Sequence, residues 1–157
     1  MDDPLTQFII KKEKAKLIYD SVKSIYNPYF KNEIIFNSDG FHHLQFSARR
    51  ERDKKEQLLK FRLLPLALEI IKKSGTLQEY RKILSPFGDK SKRDGFVVMK
   101  NIEYWAFIAI LREGNIKVRT ILRRVGDGNI VFWSVMLDAK FRKEYGQKLF
   151  LDGLEDE

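Results

Sequence analysis

The only two histidines of this chain, His42 and His43, stand side by side. Histidine has an unperturbed pKa of about 6.5, so it can take or give a proton near neutrality. There is no cysteine, which removes disulfides, thiolate nucleophiles and thiolate metal sites. Two adjacent histidines rarely ligate one ion in a strand, and no histidine-to-acid spacing here follows a ligand pattern. Neither a metal nor another cofactor is expected. The second group with chemical potential is Lys117, Arg119 and Arg123, which alternate along one apolar run. Arg62 forms a third, set among leucines and phenylalanine, where a nearly buried arginine is costly unless it pairs or faces a cleft.

A proton carrier and fixed cations suit one polymer especially well. RNA brings its own nucleophile, the 2′-hydroxyl. Cleavage then needs a base for that proton, an acid for the leaving 5′-oxygen, and cations for the charge developing on phosphorus. Arginine supplies a fixed charge and a two-pronged fork for phosphate. DNA lacks the internal nucleophile, and its metal-assisted hydrolysis calls for clustered carboxylates or histidines, which the sequence does not display. The total charge points the same way. It is formally +8, yet the last six residues carry Asp152, Glu155, Asp156 and Glu157 and no base, so the first 151 residues hold +12. Such a surplus favours an anionic partner, nucleic acid first and an acidic protein second.

The elements that must position these groups are clearest between Phe96 and Asp138. Three β-rich runs, 104–112, 116–124 and 129–137, are separated by Gly114-Asn115 and Asp127-Gly128, strong signals for two-residue hairpins. With those loops, Leu122 faces Trp133, Thr120 faces Val135 and Val118 faces Leu137. On the other side Leu111, Ala109 and Phe107 face Val118, Thr120 and Leu122. One apolar face results, holding Phe107, Val118, Thr120, Leu122, Trp133 and Val135. Period-2 alternation sends Lys117, Arg119, Ile121 and Arg123 to the opposite face. Their neighbours there are Phe132, Ser134 and Met136 on one side and Tyr104, Ala106 and Ile108 on the other. Lys117, Arg119 and Arg123 are expected to contact phosphate, with Tyr104 as a stacking surface.

Upstream the pattern is helical. Asp2 or Asp3 before Pro4 starts a helix that Asn27-Pro28 stops, with Lys11, Lys12, Lys14 and Lys16 on a face that is either simply solvated or in contact with phosphate. Residues 32–36 read as a short strand, and Asn37-Ser38-Asp39-Gly40 as a turn delivering an extended Phe41–Phe46. A second helix is expected from a cap at Ser47, interrupted at Pro65 and ended by Gly75. Residues 76–84 read as another helical turn or two, 85–95 as a surface loop, 139–147 as weakly helical and 151–157 as a frayed acidic tail. The expectation is an α+β fold in which a helical N-terminal half packs on a C-terminal antiparallel meander, as a single domain over residues 1–157. No apolar run reaches the roughly 20 residues needed to cross a bilayer, and Met1–Thr6 lacks signal-peptide character. A soluble, cytoplasmic protein without membrane contact is expected.

This order of elements resembles the barnase, EndoU, colicin and RelE-like nuclease fold, and is similar above all to its phage-associated members. The resemblance covers roughly residues 30–140. It is carried by Gly40-Phe41-His42-His43-Leu44, by Arg62-Leu63-Leu64-Pro65-Leu66-Ala67, and by Lys117-Val118-Arg119-Thr120 leading into Phe132-Trp133-Ser134. It implies a metal-independent endoribonuclease, often a toxin restrained by an acidic antitoxin or immunity partner. By resemblance His43 or His42 is the acid–base residue, Arg62 and Arg119 bind phosphate, and Ser134 is the last-strand hydroxyl. His43 is favoured, because an extended segment places it with Phe41 and Gln45 and leaves His42 on the more apolar side with Leu44 and Phe46. The sequence departs from the group in having no second, well-separated histidine and no evident glutamate base. A non-catalytic RNA- or DNA-binding module using the same basic face is the alternative, as is a protein whose basic face docks an acidic partner.

Overall fold

A computed structural model of the chain describes residues 3–111 and 116–138. Helix α1 (Pro4–Ser21) begins where the Asp3 carboxylate accepts a hydrogen bond from the Thr6 amide at 2.7 Å, with Pro4 in the first turn. It ends earlier than the sequence implies. Residues 24–27 form strand β1 (Ser24–Asn27), which turns back through Lys31, at φ 52°, into β2 (Asn32–Ile35). The reason lies in Asn27. Its buried amide donates to the Ile71 and Ser74 carbonyls at 2.8 and 3.2 Å, while its oxygen accepts from the Phe30 amide at 2.9 Å. One side chain thus closes the turn and satisfies the end of a distant helix, whose last carbonyls lack partners within the helix.

The Asn-Ser-Asp-Gly stretch is the first turn of a helix, α2 (Ser38–Gln45), and not a hairpin turn. Asn37 caps it by accepting from the Gly40 amide at 3.3 Å. Glycine is needed at position 40, where a Cβ would run into the Tyr19 hydroxyl and lie 2.7 Å from the Phe132 carbonyl. The expected extended run through the histidines is therefore helical. Ser47 caps only a tight turn, accepting from the Arg49 and Arg50 amides. The next helix, α3 (Lys54–Lys73), starts instead from Asp53, which accepts from the Glu56 amide at 2.8 Å. It passes through Pro65 without a break. Pro65 is exposed, so water can take the carbonyl it leaves unpaired, while buried Leu63, Leu64, Ala67 and Ile70 hold both halves on the core.

Residues expected to be helical after Gly75 form strand β3 (Glu79–Pro86), paired along its length with β4 (Met99–Leu111). Strands β5 (Ile116–Val125) and β6 (Val131–Leu137) complete a six-stranded sheet in the order β1-β2-β6-β5-β4-β3. All neighbours are antiparallel except β2 and β6, which meet at the single pair Ile35 and Val131. The fold is α+β, with the helical N-terminal part packed on a mostly antiparallel sheet. Two registers differ in detail from the hairpin reading. Between β4 and β5 the last pair is Leu111 with Ile116, so four residues, 112–115, separate the strands where two were expected. Phe107 consequently faces Thr120. The shift is by two residues, and period 2 leaves every side chain on its expected face. Between β5 and β6, Thr120 faces Val135 and Val118 faces Leu137 as expected, but a bulge at Ile121/Leu122 brings Phe132 opposite Leu122. An extra residue on one strand of a bulge redirects the side chains beyond it. Phe132 replaces Trp133 in the core, and Trp133 turns to the other face.

The core lies between α1, α3 and one face of the sheet, around Phe8, Tyr19, Phe61, Leu64, Phe107, Val118, Leu122, Phe132 and Val135. A second, smaller cluster of Ile102, Tyr104, Ala106 and Ile121 occupies the opposite face, with Trp133 and Met136 packed against it. The expected segments 139–147 and 151–157 lie outside the described residues. Among the described residues no helix is long and apolar enough to cross a membrane.

Candidate nucleic-acid interface

Strand β5 places Lys117, Arg119, Ile121 and Arg123 on the face away from the main core, as alternation requires. Their cross-strand partners are Ile110, Ile108, Ala106 and Tyr104 on β4. Arg119 faces Met136 and Ile121 faces Ser134 on β6. Arg119 and Ser134 therefore share a face, together with Tyr104 and Arg123, as the alternation argument anticipates.

The bulge builds the centre of the site. The Trp133 indole carries the Arg123 guanidinium carbon 4.0 Å from its ring centroid, and Arg123 also lies 5.8 Å from the Tyr104 ring. Against the indole, at 4.1 Å between centroids and 22° between planes, stacks the imidazole of His43. Helix α2 delivers that histidine. It lies along β6, where β2 pairs only through Val131 and leaves the rest of the strand edge free. His43 is 5% exposed, the reverse of the expected disposition. His42 is the exposed neighbour. It stacks on Phe46 at 4.5 Å and lines a groove of about 790 Å³ with Lys12, Lys16 and Lys23. Successive residues of a helix point about 100° apart, so the pair diverges.

Arg52, itself 4% exposed, holds His43 in place. Its Nε donates to the His43 carbonyl at 3.0 Å, and a terminal nitrogen stands 3.3 Å from His43 Nε2. A guanidinium has only donors, so a neutral His43 can accept this contact through Nε2. The remaining fork of Arg52 reaches Glu56 at 3.2 Å. On the neighbouring turn of α3, Lys60 is 3% exposed and donates to Ser134 Oγ at 3.1 Å and to the Val135 carbonyl at 2.9 Å. It caps the strand edge that β2 leaves unpaired.

At the other end of the basic face Arg119 is tied to carboxylates, Glu79 at 2.8 Å and Asp138 at 3.4 Å, and Asp138 is also 3.8 Å from Lys117. Arg123 differs. Among the described residues no carboxylate pairs with it, and its Nε is buried without an acceptor. Arg119 Nε and Trp133 Nε1 are likewise buried and unpartnered. A buried donor left unsatisfied costs about 1–3 kcal/mol. Arg123 Nε and Trp133 Nε1 lie within the stack and Arg119 Nε further along the same face, and each favours an oxygen acceptor.

Arg62 does not join this site. It is exposed and lines a separate groove between α1 and α3 with Lys11, Lys14 and Pro65. Lys60, two residues earlier and therefore on the opposite side of the helix, occupies the place expected of Arg62. The sequence did carry a signal for it. Lys60 falls on the buried stripe Gln57, Phe61, Leu64, Ala67 and Ile71, where a polar residue breaks an apolar pattern. Arg52, Glu79 and the role of Trp133 had no such signal, since each depends on pairing between distant elements. Among the described residues no group of three or more histidine, aspartate or glutamate side chains is arranged to hold a metal ion. Comparisons with protein-family models, with curated proteins and with solved structures return no match.

Proposed function

We propose that the protein is a metal-independent endoribonuclease of the toxin type, cutting RNA by attack of the 2′-hydroxyl on the adjacent phosphorus. One observation carries the reading. The Trp133 stack sets a histidine from α2 beside an arginine from β5, on the strand that bears Ser134. In the step, the 2′-oxygen loses its proton to His43 and bonds to phosphorus, while the bond from phosphorus to the 5′-oxygen breaks and that oxygen takes up a proton from water. The products are a 2′,3′-cyclic phosphate and a 5′-hydroxyl. His43 acts as base through Nε2 when a substrate phosphate draws the Arg52 N–H away from that lone pair. Arg119 and Arg123 hold the phosphate, and the unpartnered N–H groups supply donors to the charged oxygens. An acidic antitoxin or immunity protein would cover the same cations in a cytoplasmic setting.

The test is incubation with RNA in chelator, followed by end-group analysis. Cyclic phosphate termini support the reading, and intact RNA after prolonged incubation defeats it. A second reading, a non-catalytic RNA-binding module, is favoured by the hydrogen bond from Arg52 that occupies His43 Nε2. It predicts binding that survives removal of both histidines, with no cleavage.

A further inference from the structure

The β3–β4 hairpin outruns the rest of the sheet. Strand β5 ends at Val125, opposite Ile102, and the Gly126 amide donates to the Asn101 carbonyl at 2.7 Å. From Lys100 outward, β4 therefore has β3 as its only strand neighbour among the described residues. The ladder continues past Pro86 and Met99, where the Phe87 amide donates to the Val98 carbonyl and the Ser91 amide to the Phe96 carbonyl, both at 2.9 Å. The result is a two-stranded arm over residues 84–100. Two strands alone bury little, and Leu84, Phe87, Phe96, Val98 and Met99 all stay exposed on it, Phe96 to 75%. Residues 81–100 also carry six basic side chains against two acidic ones. Lys90, Lys92 and Arg93 crowd the tip, and the Lys100 ammonium lies 4.9 Å from the Phe87 ring centroid. Pairing of Phe87 with Val98 puts both, with Lys100, on the face that bears Tyr104 and Arg123, because even-numbered residues of β4 share it. Lys100 stands about 14 Å along the strand from Tyr104, which is about four nucleotides at 3.4 Å each.

We propose that this arm binds single-stranded RNA beyond the cleaved phosphate, with Phe87 and Phe96 stacking on unpaired bases and Lys90, Lys92 and Arg93 taking phosphates. Every base offers a π-face, so exposed rings interleaved with cations form a sequence-tolerant platform for a single strand. Bases inside a duplex are already stacked and leave such rings unused. A protein partner is the poorer occupant, because interface cores are depleted of lysine. A second copy of the chain, of formal charge +8, is repelled. The inference rests on the RNA-binding half of the proposed function and not on cleavage.

The experiment uses the full chain and two probes of about twelve nucleotides, oligothymidylate and the same sugar–phosphate strand without bases. Both lack the 2′-hydroxyl, so binding is separated from cleavage. Phe87→Ala/Phe96→Ala, changed at exposed positions, is expected to weaken oligothymidylate binding about tenfold and binding of the base-free strand by less than about twofold. Lys90→Gln/Lys92→Gln/Arg93→Gln should weaken both probes and lower the slope of log affinity against log salt by about 2, at about 0.7 per contact. Arg123→Ala is the reference for the main basic face. If it weakens binding while both arm variants match wild type, the arm proposal falls and the RNA reading stands. An equal loss on the two probes for the aromatic variant removes stacking and overturns the proposal as well. If the wild type binds neither probe, the nucleic-acid reading fails and the arm proposal with it. Concentration-dependent self-association that Phe87→Ala/Phe96→Ala abolishes would mark the arm as a protein contact and overturn its role toward RNA.

Discussion

His43 and Arg123 belong to elements far apart in the chain, yet they pack against one indole, His43 at 4.1 Å and Arg123 at 4.0 Å from the Trp133 ring. The ring fixes the placement of an imidazole relative to a cation with no carboxylate partner among the described residues. A guanidinium over an indole gains about 0.5–2 kcal/mol, more as it is desolvated, so the stack also orders the arginine before any ligand arrives.

Arg123→Ala is expected to weaken single-stranded oligonucleotide binding and to lower the slope of log affinity against log salt by about 0.7, the value for one lost phosphate contact. Titrations at several salt concentrations measure both. Arg123→Lys keeps the charge but loses the planar fork, so it should restore the slope more fully than the affinity.

His43→Ala should reduce RNA cleavage by roughly 100-fold or more while oligonucleotide affinity stays within a few-fold of wild type. His42→Ala, altering an exposed ring on the far side of α2, should leave the rate near wild type. Single-turnover cleavage with folded variants decides between them, and full activity in the double variant would remove histidine from the mechanism.

Lys60→Met leaves Ser134 and the Val135 carbonyl without their donor. A stability loss of about 1–3 kcal/mol is expected, read from the urea midpoint at unchanged slope. Arg62→Ala, changed at an exposed position in a separate groove, should shift neither stability by more than about 0.5 kcal/mol nor oligonucleotide affinity.

Gly40→Ala should destabilise the fold by about 1–3 kcal/mol through overpacking, because the added methyl meets the Phe132 carbonyl at 2.7 Å. As α2 is pushed from β6, the His43 stack should loosen, and quenching of Trp133 fluorescence should change with it.

Burial pushes the Glu103 carboxyl up, but hydrogen bonds from Tyr80 and Arg124, with the charge of Arg124, outweigh it and hold the group below its ordinary value. The Arg124 contacts are 2.6 and 2.9 Å. A carboxylate with a lowered folded-state pKa contributes stability that is complete above its unfolded pKa and lost as pH falls through the folded one. The deficit of Glu103→Gln relative to wild type should therefore be largest at neutral pH and close in strong acid. Thermal unfolding across that range measures it.

What could be read directly from the residues was whatever depends on near neighbours. Alternation along 116–124 placed Arg119, Arg123 and Ser134 on one face, and that face survived a two-residue shift against β4 because side-chain direction has period 2. Caps and apolar spacing showed that the N-terminal part is helical. Other features turned on partners distant in sequence. Asn27 left the helical pattern to satisfy carbonyls at the end of α3, and Gly40 allowed α2 to press against β6, which converted an expected strand into a helix and exchanged the exposures of His42 and His43. Trp133 reached the basic face through a single bulge, and Lys60 took the position expected of Arg62 because the free edge of β6 needed a donor. In each case an unsatisfied backbone group or a close approach between elements outweighed local propensity, and neither exists until the chain has folded.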